Sequence, residues 1–239
     1  MVKEIITWED GELNTKNHHL GFIHKFIPAN EKETEKRRGG QIRVLPTFLL
    51  LHGTGGNEED LIPLAREISS EAAVLSPRGK VLENGVYPRF FHRLAEGVFD
   101  IEDLKFRTNE LANFVKGASQ VYSFDMGNVI AVGYSNGANI ASSMLLLHPE
   151  ILSSAILFRA MVPLVPQVLP DLTNKHIFMS SGLHDPIISK QNAESLFDLF
   201  KKAGAKVSLY WQNSGHELVM EEVKKAKEWL LHYFSSSFL

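Results

Sequence analysis

Apolar residues along this chain fall into short unbroken runs and helical stripes, and the two kinds of segment alternate. Residues 45–52, LPTFLLLH, form a nearly continuous apolar run that ends in a glycine-rich turn. A strand covered on both faces has this pattern. Leu61, Leu64, Ala65 and Ile68 follow at helical spacing, with Asn57 as the expected N-cap. AAVLSP is a short strand, and an irregular stretch leads to a helix from near Asp100 carrying Leu104, Thr108, Leu111 and Val115 on one face. NVIAVGYS is a strand running into a turn, and NGANIASSMLLLHP is a helix stopped by Pro149. SSAILF and KHIFMSSG are two more buried strands, residues 189–202 a helix closed by Gly204, and KVSLYWQ the last strand. The final helix aligns Val219, Val223, Ala226, Leu230 and Tyr233, with Glu221, Lys224, Lys225 and Glu228 outside the stripe. Earlier, HLGFIHKFIPA alternates only partly, as an antiparallel edge strand does.

Repeated strand–helix alternation predicts a single α/β domain over residues 1–239, its central sheet mostly parallel with helices on both faces and no large cap. Residues 1–45 are its edge-strand region. Residues 29–43, ANEKETEKRRGGQIR, are expected as a solvated loop within it, because acidic and basic residues interleave.

Ligands of such sheets bind beyond the carboxyl ends of the strands, so the chemistry of those ends matters most. Gly133-Tyr134-Ser135-Asn136-Gly137 is a Gly-x-Ser-x-Gly sequence between a predicted strand and a predicted helix. Small residues flank the serine because a sharp strand-to-helix turn leaves no room for side chains. Asp185 follows the IFMSS strand in HDP, and His216 follows the VSLYW strand at the start of the last helix. Alone, the aspartate reads as turn chemistry and the histidine as a cap. Together the three occur in the order Ser, Asp, His at successive strand ends, which marks a nucleophile, an orienting acid and a base. His52-Gly-Thr-Gly-Gly56 follows the first core strand, where an oxyanion donor is expected. The expected donors are the N–H groups of Thr54 and Asn136. A phosphate loop is the rival reading, but no Gly-Lys-Ser/Thr follows.

Composition narrows the chemistry further. The chain has no cysteine, which removes disulfides, thiolate metal sites and cysteine nucleophiles. Its 10 histidines show no metal-type clustering, and a net charge of −3 offers no basic surface for nucleic acid. No apolar run approaches membrane-spanning length and the N-terminus lacks a signal-type core. A cytoplasmic protein with no membrane insertion and no metal or organic cofactor is expected. Its partner would be a small-molecule ester or thioester. Fifteen phenylalanines and the SSSFL tail add a homodimer to the expectations.

With the HGTGG, GYSNGA, HDP and GHE segments in view, the chain from Leu45 onward resembles the α/β-hydrolase superfamily. Within it, the likeness is to the carboxylesterase/phospholipase branch that includes the acyl-protein thioesterases. GFIHKFIPA and FHRLAEGVFDIEDLKFRTNEL are similar to small bacterial esterases, some associated with quinone stress. The resemblance implies Ser135 as nucleophile, His216 as general base and Asp185 as the residue orienting it. The implied activity is serine carboxylesterase, on small to medium acyl groups. Acyl-protein or lysophospholipid hydrolysis and a non-catalytic ligand-binding receptor are the alternatives. Only some sixteen residues, 159–174, separate two strands where a cap would insert, so an open site is expected. Phe91, Met161, Val162 and Leu164 are the candidates for its apolar wall. His52, His184 and the His18-His19 pair are expected to be structural or surface residues.

Overall fold

The structure, a computed structural model, describes residues 20–30 and 45–236. The charged segment beyond Asn30, the His18-His19 pair and the end of the SSSFL tail lie outside the described residues. Seven strands form one sheet: β1 (His24–Ile27), β2 (Thr47–Leu51), β3 (Ala73–Pro77), β8 (Val129–Tyr134), β9 (Ser154–Phe158), β10 (His176–Gly182) and β11 (Lys206–Gln212). Between β3 and β8 lie the short strands β4 (Val81–Glu83), β5 (Tyr87–Arg89), β6 (Arg93–Ala95) and β7 (Val98–Phe99). The sheet order is β1-β3-β2-β8-β9-β10-β11. All neighbours are parallel except β1, which pairs antiparallel with β3 at the edge as its partial alternation predicts.

Unbroken apolar runs are required here because both faces of each central strand are covered. Leu49 and Leu51 of β2, with Val129 and Ala131 of β8, enter one core beneath α2 (Ile101–Tyr122), α3 (Asn136–Leu147) and α4 (Lys190–Lys202). Phe48, Leu50, Ile130 and Val132 point the other way, into a core shared with α1 (Ile62–Ile68) and α5 (Met220–Ser236). The period of two along each strand thus divides one apolar run between two cores.

Helix boundaries follow local chemistry with two exceptions. Asp100 caps α2 by accepting from Asp103 N–H (3.1 Å), and Ser189 caps α4 by accepting from Asn192 N–H (3.2 Å). Asn57, expected to cap α1, instead accepts from Glu59 N–H (2.7 Å) in the preceding turn. Leu61 occupies the cap position, and Pro63 sits in the first turn, where its missing N–H is harmless. Val219 precedes α5 rather than lying on it, and its N–H donates to Glu222 Oε1 (2.9 Å), half of a capping box.

The stretch expected to be irregular between β3 and α2 is two hairpins, β4–β5 and β6–β7. Asn84 and Gly85 both have positive φ in the first turn, and Asn-Gly is the local signal for such a hairpin.

Candidate active site

β2 has β3 on one side and β8 on the other, so the strand order reverses at its carboxyl end. That crevice holds Ser135, between β8 and α3. Its backbone has φ 52° and ψ −112°, outside the ordinary wells for a residue with a side chain. Neighbouring structure holds it there: Ser135 N–H donates to Phe158 O (2.9 Å), and its carbonyl accepts from Asn139 N–H (3.0 Å). The turn is tight enough that a Cβ on Gly137 would run into the Leu51 carbonyl, and one on Gly133 would lie 2.7 Å from Ala138 Cα. Glycine at both positions is therefore a packing requirement.

His216 Nε2 lies 2.9 Å from Ser135 Oγ, and its Nδ1 lies 2.8 Å from Asp185 Oδ2. A carboxylate only accepts, so Nδ1 carries the proton and Nε2 is free to accept from the serine hydroxyl. Asp185 is buried, and its other oxygen accepts from the N–H groups of Ile187 (2.8 Å) and Ile188 (3.0 Å). One oxygen of this aspartate thus serves the turn and the other meets the histidine. His216 lies four residues before α5, in a bend rather than at the helix start, so it caps nothing.

Two further side chains fix that bend. Tyr134 O–H donates to His216 O (3.0 Å). Arg159, fully buried at the end of β9, donates to the carbonyls of Gly215 (3.1 Å) and Glu217 (2.6 Å) and to Ser214 Oγ (2.9 Å). Its charge is met by the buried Glu222 through two bonds, 2.6 and 2.9 Å, and Asp185 Oδ2 lies 4.0 Å from its Nε. Glu222 also accepts from Ser180 Oγ. No local pattern announces this network, because Arg159 and Glu222 are 63 residues apart.

Thr54, Asn136 and Ser135 line one cleft of about 270 Å³. Asn136 opens α3, where backbone N–H groups have no partner within the helix. Of the four residues expected to form the apolar wall, Met161 lines the cleft. Phe91 and Leu164 are buried in the main core, Phe91 edge-on against Phe99, and Val162 packs on the same core. The strand–helix spacing could not show this, because which side of a connecting loop faces the core depends on how distant segments pack. The hairpins instead supply Arg89, Arg93 and Phe99 to the wall, while the 159–174 segment adds Met161.

Asparagines clamp both walls. Asn136 Oδ1 accepts from Phe90 N–H (2.8 Å), Asn139 Oδ1 from Met161 N–H (2.9 Å) and Asn192 Oδ1 from Val162 N–H (2.8 Å). Two of these sit one turn apart on α3, so the helix that follows Ser135 also holds the cleft walls.

His52 is buried at the end of β2, as a structural residue would be. Its Nδ1 is 2.6 Å from Gly53 O, and its Nε2 accepts from Gly79 N–H (2.9 Å). Only the neutral ring can satisfy both, and burial lowers its pKa; His24 and His176 shift the same way for the same reason. Between the unfolded value near ~6.5 and the lower folded one, the unfolded chain binds more protons, so stability rises with pH there. Urea denaturation midpoints are accordingly expected to fall from pH 7.5 to 5.5, with a smaller fall in His52→Gln. His184 is exposed and meets Asn213 Oδ1 (3.0 Å).

A mostly parallel sheet, helices on both faces and a serine in the strand-to-helix turn after β8 define an α/β-hydrolase. Residues 40–233 match the phospholipase/carboxylesterase family, and the chain belongs to it. MhqD of Bacillus subtilis (strain 168), named as a hydrolase, is 50% identical over 182 residues, covering 76% of this chain and 90% of that protein. The structure of a Bacillus cereus carboxylesterase is 48% identical with a TM-score of 0.81, over 90% of this chain and 98% of that one. YahD, solved with malic acid, is 30% identical with a TM-score of 0.78, over 87% and 98% of the two chains. The family and these relatives support esterase activity. Among the described residues no helix is long and apolar enough to cross a membrane.

Proposed function

We propose that the protein is a serine carboxylesterase acting through an acyl-enzyme on Ser135. The observation that carries this reading is the continuous hydrogen-bonded path from Ser135 Oγ through His216 to Asp185, opening on a cleft. His216 Nε2 takes the hydroxyl proton as Ser135 attacks the ester carbonyl, and Asp185 stabilises the imidazolium that forms. The N–H groups of Thr54 and Asn136 receive the oxyanion, each worth about 3–4 kcal/mol in the transition state. The imidazolium then protonates the leaving alcohol or thiol, and water activated by the same nitrogen hydrolyses the acyl-enzyme.

The cleft lies just below the ~300–1,000 Å³ typical of ligand pockets. It favours short acyl groups over long lipid chains. A fluorophosphonate probe tests the assignment directly. The wild-type protein is expected to gain one phosphonyl group, mapped by mass spectrometry to Ser135, and Ser135→Ala none. An unlabelled wild-type protein would favour a binding role on a hydrolase fold.

A further inference from the structure

The polar wall of the cleft has more hydrogen-bond donors than its own partners use. Arg89 and Arg93 both line the cavity that contains Ser135. They also line a second, adjoining cavity of about 470 Å³ between the hairpins, together with Glu83, His92 and Glu96. Glu83 lies between the two guanidiniums. Its Oε2 accepts from Arg89 Nη1 (2.9 Å), and its Oε1 from Arg93 Nε (2.7 Å). One carboxylate therefore serves two cations, and both of its oxygens are engaged.

Arg89 is nine-tenths buried and donates once more, from Nε to Phe91 O at 3.3 Å. A guanidinium has five N–H donors, so most of those on Arg89 and Arg93 have no protein acceptor among the described residues. Burial lowers the pKa of Arg89, and its contacts with Glu83 offset this only in part. Glu96 stands exposed at the rim and forms no ion pair with either arginine among the described residues. Unused planar donors on a partly desolvated wall match a carboxylate, which an arginine fork binds bidentately.

We propose that Arg89 and Arg93 form a carboxylate-binding subsite, so that the preferred substrate is an ester that carries a second, free carboxylate near the scissile bond. The proposal rests on the serine-esterase reading. It names the substrate class of that site and leaves open which side of the ester bears the acid.

Paired substrates separate the two sides. On the acyl side, monoethyl glutarate is compared with ethyl valerate, in which methyl replaces the carboxylate. On the alcohol side, O-acetylglycolate is compared with isobutyl acetate. Each is followed by pH-stat with wild type, Arg93→Gln, Arg89→Lys and Glu96→Gln. The readout is the ratio of kcat/KM for the acid over its neutral partner, so losses common to both substrates cancel. In at least one pair this ratio is expected to fall about 10–100-fold in Arg93→Gln, as loss of a charge-assisted contact implies. It should fall in Arg89→Lys and rise in Glu96→Gln, which removes a competing charge. The pair that responds assigns the side.

Binding of glutarate to Ser135→Ala protein, measured by calorimetry, reads the subsite without catalysis and should weaken by a similar factor when Arg93→Gln is added. Ratios unchanged in both pairs by both arginine substitutions would overturn the subsite and leave the esterase standing. No turnover of any ester, with glutarate still bound through Arg93, would overturn the esterase and leave the subsite.

Discussion

Replacing Ser135 with alanine is expected to lower kcat/KM for p-nitrophenyl acetate by about 10⁴-fold or more, and replacing it with glycine by as much. The two variants should part in stability. Ser135 holds φ 52° and ψ −112°, a conformation that costs a residue with a Cβ about 1–3 kcal/mol. Alanine keeps that cost. Glycine removes it and loses about 0.5–1 kcal/mol of its own to chain entropy. Ser135→Gly should therefore be the more stable by about 1 kcal/mol, a rise in Tm of ~2–4 °C over Ser135→Ala. Activity in Ser135→Ala within tenfold of wild type would remove Ser135 from the mechanism. Equal melting of the two variants would limit the strain at this residue to about the 0.5–1 kcal/mol that glycine loses to chain entropy.

The largest stability effect is expected at Arg159, which touches neither the serine nor the cleft. Arg159→Met leaves Glu222 buried and negative with Ser180 Oγ and Val219 N–H as its remaining donors. Losing one member of a buried pair costs about 3–5 kcal/mol, or ~10 °C in Tm for a domain of this size. The double variant Arg159→Met/Glu222→Met should recover much of that stability, since no charge is then stranded. Activity should not return with it. The carbonyls of Gly215 and Glu217 lose their shared donor in both variants, and the bend holding His216 loses its anchor. Urea melts alongside kcat/KM separate the two roles. If activity recovers with stability in the double variant, Arg159 serves the fold alone.

The element sequence was legible because two-sided burial writes unbroken apolar runs, and one-sided burial writes stripes of period 3.6. Ser135, Asp185 and His216 could be found for a related reason. Each stands at the end of such a run, and residues at strand ends of a parallel sheet meet at one edge whatever the loops do. Glycine at 133 and 137 was legible too, because the elbow leaves no volume for a side chain. The wall of the cleft was not. Phe91 and Met161 look alike as apolar residues in connecting loops, yet one is core and the other faces the site. Asn84-Gly85 did carry a hairpin signal, but not where the hairpin would lie.

By itself, then, the sequence determined the strand–helix order, the edge position of β1, the elbow and the three residues that converge on it, since each follows from local periodicity or local volume. Tertiary structure alone decided the rest. It put two hairpins over the site, buried Arg159 against Glu222 behind the histidine bend, and set Arg89 and Arg93 around one shared carboxylate. Such pairings depend on where distant segments pack, and a charged or apolar residue in a loop carries no record of its partner.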